Sequence, residues 1–155
     1  MFDPLTYWSR MMGVSLDLAQ TAIRAGQTMS ASGKVIDKRT GMMRAAMTDP
    51  LHANHAELSL MVPEKIAAFS LAGNAFVDGW LTWNRAVMAE TQKVGAMAMR
   101  GRAPTPVEWL ALASRSNAFA LKASERGARV SAATLKPVHA KAVSNAKRLS
   151  GRKAR

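Results

Sequence analysis

In the stretch "LHANHAE", His52, His55 and Glu57 stand close enough in sequence to sketch a metal site. Two imidazoles at i and i+3 share one side of a helix, and a carboxylate two residues on resembles a third ligand. Zinc chemistry asks for three or four strong ligands at set spacings, and the spacings are missing here. The sequence therefore predicts solvated side chains beside a helix start. His139 sits among Lys and Arg residues and is expected to be exposed. There is no glycine-rich phosphate loop, no nucleophile elbow and no HExxH motif. The chain has no Cys, which removes disulfides, thiolate metal sites and cysteine nucleophiles. Its ten acidic residues are scattered. Glu90 alone among them falls on an aromatic stripe, where a polar side chain sets helix register more readily than it serves catalysis. No catalytic, cofactor-binding or metal-binding residue is expected, and the chain is not expected to be an enzyme.

A second kind of chemistry is charge. Of a net +12, most lies in "LKPVHAKAVSNAKRLSGRKAR", since nine Lys or Arg and no acidic residue occur from Arg126 onward. Lys136, Lys141, Lys147, Arg148, Arg152, Lys153 and Arg155 are the candidates for contacting a polyanion. Such a segment gives salt-sensitive, sequence-independent affinity for phosphate, and DNA is the partner it suggests. It lacks the interleaved aromatics of a single-strand binder. A solvated tail and a peripheral contact with anionic lipid are the other two readings.

The third kind is apolar. Ile66, Phe69, Gly73, Phe76, Trp80, Trp83, Val87, Val94 and Met97 follow one another at gaps of three and four, broken at Glu90. That period belongs to a helix with a narrow stripe of the heptad kind. Leu5, Trp8, Met12, Leu16, Ala19 and Ile23 repeat it near the N-terminus, and Trp109, Leu112, Ser116, Phe119, Ala123 and Val130 repeat it again. Gly73, on the stripe, is expected either to admit a second helix at close range or to keep the helix adaptable.

These stripes need helices to carry them. Asp3-Pro4, Asp49-Pro50 and Thr105-Pro106 are three copies of one start signal, a capping side chain followed by a proline that needs no N–H partner. Thr105 with Glu108 adds a capping box. Helices are predicted at about 4–31, 34–47, 50–61, 63–100, 106–135 and 138–149, with weakening at "SASGK". The regions implied are an N-terminal amphipathic part, 1–49, a helical core, 50–135, and a basic tail, 136–155, flexible or weakly helical. Core material is thin. Of the hydrophobic residues 29 are Ala and 11 are Met, while Leu, Ile, Val and Phe together number 30. Alanine favours helix over disorder, so the expected fold class is all-α, with extended amphipathic helices joined through heptad-like seams in a bundle or coiled-coil assembly. The start "MFDPLTYWSRMM" lacks the features of a secretory signal, and the longest uncharged run, 66–77, is far short of the ~20 residues of a membrane span. A soluble cytoplasmic protein without a transmembrane segment is expected.

The stretch "ELSLMVPEKIAAFSLAGNAF", residues 57–76, resembles the core of the phasin family, proteins that coat polyhydroxyalkanoate granules in bacteria. The likeness rests on Met61-Val62-Pro63-Glu64-Lys65 followed by Ala67-Ala68-Phe69, and on "LKPVHAKAVSNAKRL" at 135–149. It implies a non-enzymatic, all-helical, self-associating protein at the polyester surface, with polyester synthase or depolymerase as further partners. On that reading the seam of Ile66, Phe69, Phe76, Trp80, Trp83, Val87, Val94, Met97, Trp109, Leu112 and Phe119 faces the granule or another copy of the chain.

Overall fold

Asp3 opens the first helix by accepting from the N–H groups of Leu5 and Thr6, at 3.1 and 3.3 Å. In the computed structural model, which describes residues 3–151, that helix, α1, runs from Pro4 to Thr48. Asp49 then caps a single 3-10 turn, Pro50–His52, and Asn54 caps α2, His55–Ala98, by accepting from Glu57 N–H at 3.1 Å. Gly101, at φ +69, supplies the left-handed conformation that ends the second helix. The Thr105–Glu108 box starts α3, Pro106–Gly151, with reciprocal bonds of 2.8 and 3.3 Å. Arg102 grips the Glu108 carboxylate with both Nη atoms, at 2.7 and 2.9 Å. That grip and the Thr105 N–H hold the Glu108 pKa down to about 2. The described residues contain no strand, and the fold is all-α.

Several expected breaks are absent. The "SASGK" stretch continues α1 because Thr28, Ala31 and Val35 are buried against α3, and tertiary packing outweighs the propensity cost of Ser and Gly. Pro63 and Pro137 lie inside α2 and α3, each removing one backbone bond without ending its helix. α3 consequently runs through position 136, where the sequence places a boundary, and its last turns are anchored by Asn145 and Leu149, both buried. Conversely, the helix expected from residue 50 begins at His55, after the short turn.

Each helix is 44 to 46 residues long, about 66 to 69 Å at 1.5 Å per residue. Arg10 reaches Glu125 and Thr28 reaches His139, so α1 and α3 run parallel. Trp83 meets Phe119 and Glu64 meets Asn145, so α2 runs against α3. α3 is the middle member of the three, and α1 meets α2 mainly near their connecting turn.

The two interfaces are built on different periods. On α1 the inward column passes from Tyr7 through Val14, Thr28 and Val35 to Ala46 at alternating steps of four and three, a seven-residue repeat. α3 answers with Leu121, Ala128, Leu135, Ala142 and Leu149, each seven residues from the last. On α2 the inward positions repeat every eleven residues instead: Glu57, Ala68, Gly79 and Glu90 form one column, Met61, Ala72 and Trp83 a second, and Glu64, Ala75, Ala86 and Met97 a third. The matching face of α3 repeats likewise, as in Leu112, Ala123, Thr134 and Asn145. Seven-residue repeats favour a left-handed supercoil and eleven-residue repeats a right-handed one, so α3 answers opposite demands on its two sides.

Small residues dominate the α2 interior, and Gly79 is where the backbones come closest. A Cβ added there would collide with the Val130 side chain, whereas one added at Gly73 would meet nothing within 4 Å. The close approach expected at Gly73 is thus made six residues later. With so little side chain enclosed, the chain exposes 11371 Å², against about 7,600 Å² for a compact monomer of this mass. It buries about half of its unfolded surface rather than the usual two-thirds.

Gly73→Ala should raise stability by about 0.5–1 kcal/mol through helix propensity, while Gly79→Ala should lower it by about 1–2 kcal/mol as the clash with stiff Val130 outweighs the same gain. Thermal melts followed by circular dichroism compare the two, and Val130→Ala should rescue the Gly79 variant. Equal melting temperatures for both alanine variants would refute the assigned α2–α3 contact.

Candidate functional site

The large apolar residues of the sequence stripes lie mostly on the outside. Ile66, Phe69, Phe76, Trp80 and Trp109 are each more than half exposed, and Val94 is exposed as well. Trp83, Val87, Met97, Leu112, Phe119 and Val130 turn inward, half-buried, with the Trp83 and Phe119 rings tilted at a centroid distance of 5.9 Å. The cause is a difference of period. A stripe stepping by 3.5 slips about 20° per heptad on a helix of 3.6 residues per turn, whereas the true interface steps by eleven-residue units. The two coincide near Trp83 and separate toward the start of α2. On α1 the displacement is one of face rather than of period, since stripe and interface both repeat every seven residues. Leu5, Trp8, Met12, Leu16 and Ile23 are all more than 60% exposed, and the interface there is the Tyr7–Val14–Thr28 column on another side.

These outward residues form walls rather than scattered spots. Ile36 of α1 and Phe69 of α2 line one hollow of ≈ 200 Å³, floored by Val138 and Ala142 of α3. Residues seven apart share one side of a helix, so Met29, Ile36 and Met43 continue the α1 wall, and Phe69, Phe76 and the neighbouring Trp80 continue the α2 wall. Each of these is exposed. The methionine column was legible as a heptad spacing but was outside the stripes singled out in the sequence.

At the α1–α2 turn the hollow ends in a cluster of charges. Arg39 Nη2 donates to Glu57 Oε1 at 3.0 Å and to Glu64 Oε2 at 2.7 Å. Arg148 Nη2 donates to Glu57 Oε1 at 2.9 Å and Glu64 Oε1 at 3.0 Å, and its Nη1 bonds Glu57 Oε2. Asn145 Nδ2 donates to Glu64 Oε2 at 2.8 Å, and Lys141 Nζ stands 3.5 Å from Glu64 Oε1. Glu57 is 1% exposed. Burial pushes the Glu64 carboxyl upward, but the Arg39 hydrogen bond and the charges of Lys141, Arg148 and Arg39 prevail and leave it below the ordinary glutamate range. The cluster ties all three helices together.

Its composition bears on the candidate polyanion contacts. Lys141 and Arg148 are engaged with Glu64 and Glu57, whereas Lys136 and Lys147 are exposed. Arg152, Lys153 and Arg155 lie outside the described residues. The histidines are dispersed: His52 Nδ1 stands 2.8 Å from Asp49 Oδ2, and His55 Nε2 stands 2.7 Å from the Pro50 carbonyl oxygen. Glu57 turns away from both toward the arginines. His139, expected at the surface, is half-buried with Nδ1 3.0 Å from Thr28 Oγ1. Because the Thr28 hydroxyl donates to the Arg24 carbonyl, Nδ1 is the atom that carries hydrogen. Glu90 pairs with Lys93 at 2.9 Å on the inward side of α2. Among the described residues no group of three or more His, Cys, Asp or Glu is placed to hold a metal ion, and no helix is long and apolar enough to cross a membrane. Comparison of the chain with protein families, curated proteins and solved structures gives no match.

Glu57→Gln should cost about 3–5 kcal/mol, because it leaves buried Arg39 without a full counter-charge. A group with a depressed folded pKa adds stability that is complete above its unfolded value and is lost as pH falls through the folded one. Glu64 should therefore make melting temperature drop as pH falls below about 4.5. Glu64→Gln, less stable at neutral pH, should show a shallower drop; an unchanged acid slope would remove Glu64 from this role.

Proposed function

We propose that the protein is a non-enzymatic amphiphilic coat of intracellular polyhydroxyalkanoate granules, held at the polyester surface by exposed apolar helix faces. The observation that carries this reading is the wall of Phe69, Phe76 and Trp80, left exposed on a folded three-helix chain. Contiguous apolar patches of this kind are rare on proteins that work alone in water, and they mark surfaces that meet another apolar body. Tryptophan suits a boundary between polymer and water, since its ring is apolar and its N–H is polar. The resemblance of residues 57–76 to phasins names the polymer. Further copies of the chain compete for the same walls, so self-association in solution and adsorption on a granule are alternative ways of covering them. The place of action on this reading is the granule surface in the cytoplasm, and the adsorbed layer keeps granules from coalescing by its net positive charge.

Three exposed aromatics can be replaced without entering the helix interfaces. Phe69→Ser, Phe76→Ser and Trp80→Ser together should lower partition onto polyester particles about a hundredfold or more, at ~1 kcal/mol or above for each half-buried ring lost. Asp78→Ser with Arg85→Ser should change it little. Trp83→Ser, by contrast, should act chiefly on stability, because that ring packs on Phe119. Cosedimentation with particles gives partition, and circular dichroism confirms that the variants compared are helical. A helical triple variant that coats particles as well as the parent would sink the proposal.

A further inference from the structure

The hollow between α1 and α2 has a chemistry of its own. Its walls are apolar, with Val35, Ile36, Phe69 and Val138 among them, yet three cations, Arg39, Lys65 and Lys141, also line it, against one carboxylate, Glu64. Including the adjoining Glu57 and Arg148, the charged groups are four positive and two negative. Arg39 is buried, and its Nε has no hydrogen-bond partner among the described residues. Lys65 is exposed and makes no ion pair among them. A surplus of positive charge at the polar end of an apolar hollow describes an amphipathic anion in negative.

We propose that this hollow binds the carboxylate end of an aliphatic chain, as in a free fatty or hydroxy acid. The headgroup would lie between Lys65 and Lys141, and the hydrocarbon would run along Ile36 and Phe69 toward Phe76. At ≈ 200 Å³ the space suits a single extended chain. A monoanion is also the better electrostatic match, because Glu64 already takes up much of the field of Arg39 and Lys141. The proposal does not depend on the granule reading: Phe69 and Phe76 enter both, but it concerns a dissolved ligand and a defined headgroup site, which adsorption does not need.

The test is calorimetric titration of the full chain with octanoate, octylammonium and octan-1-ol, which share a tail and differ in headgroup. Octanoate should bind with one equivalent, about tenfold or more tighter than octylammonium, since opposite and like charges at a few Å differ by that much or more. Lys65→Glu with Lys141→Gln should remove this preference while the helical spectrum is kept. Methyl resonances of Val35, Ile36 and Val138 should shift on adding octanoate and stay in place in the double variant. Equal affinity for the three probes, several weak equivalents indifferent to the lysine changes, or shifts confined to other methyl groups would each overturn the site.

Discussion

Everything in this fold depends on α3 having two partners at once. One side repeats every seven residues to meet α1, and the other every eleven to meet α2. Two interfaces on one helix draw some of its polar and charged residues, such as Glu125, Arg126 and Asn145, into half-buried or buried positions, while Lys122, Arg129, Lys136 and Lys147 stay exposed on the remaining side. It also explains why α1 and α2 can stand apart over most of their length. Each already has its contact, and the hollow between them is what remains. The cluster of Arg39, Glu57, Glu64 and Arg148 closes that hollow at the one end where all three helices converge.

A buried ion network in this position is better understood as specificity than as gross stability. Two carboxylates and two guanidiniums removed from water recover their desolvation cost only through near-complete pairing, and replacing all of them with apolar residues is often neutral. Where α2 meets α3 through Ala68, Ala72, Ala75 and Gly79, however, apolar contact alone would leave register poorly defined, because small side chains slide past one another with little penalty. The cluster fixes how far α2 is shifted along α3 and where α1 must end. The Val130 side chain seated over Gly79 supplies a second fixed point about halfway along α2.

Much of this was legible from sequence. The Asp3-Pro4 and Thr105-Pro106 starts, the Thr105–Glu108 box and the all-helical class follow from local chemistry that survives in the folded chain, whereas Asp49-Pro50 opens only a short turn and α2 starts at Asn54. Helix continuity through "SASGK", Pro63 and Pro137 did not, since it rests on contacts with a helix more than a hundred residues away in the first case and on packing along α3 in the others. The inward faces were harder still. Size draws the eye to Phe69, Phe76 and Trp80, but the positions that pack between them are Ala68, Ala72, Ala75 and Gly79, small members of three columns whose eleven-residue period the large exposed residues do not follow. The Glu57–Arg148 pair joins positions 91 residues apart and carries no local signal at all.

The division between interior and exterior also constrains how such a molecule meets an apolar surface. A bundle whose large apolar residues are inside must open before it can adsorb, and the opening gives up the contacts that hold it together. Here Trp80 points out while Trp83, three residues on, packs on Phe119. Adsorption through Phe69, Phe76 and Trp80 can therefore proceed with α2 and α3 still paired and with the charge cluster intact. The free energy gained at the surface then comes from burying rings that water already touches, at roughly 25 cal/mol per Å², without subtracting the cost of separating helices. On the proposed reading the adsorbed protein would keep its helix pairing, and the excess surface of the isolated chain would be the part that makes the contact.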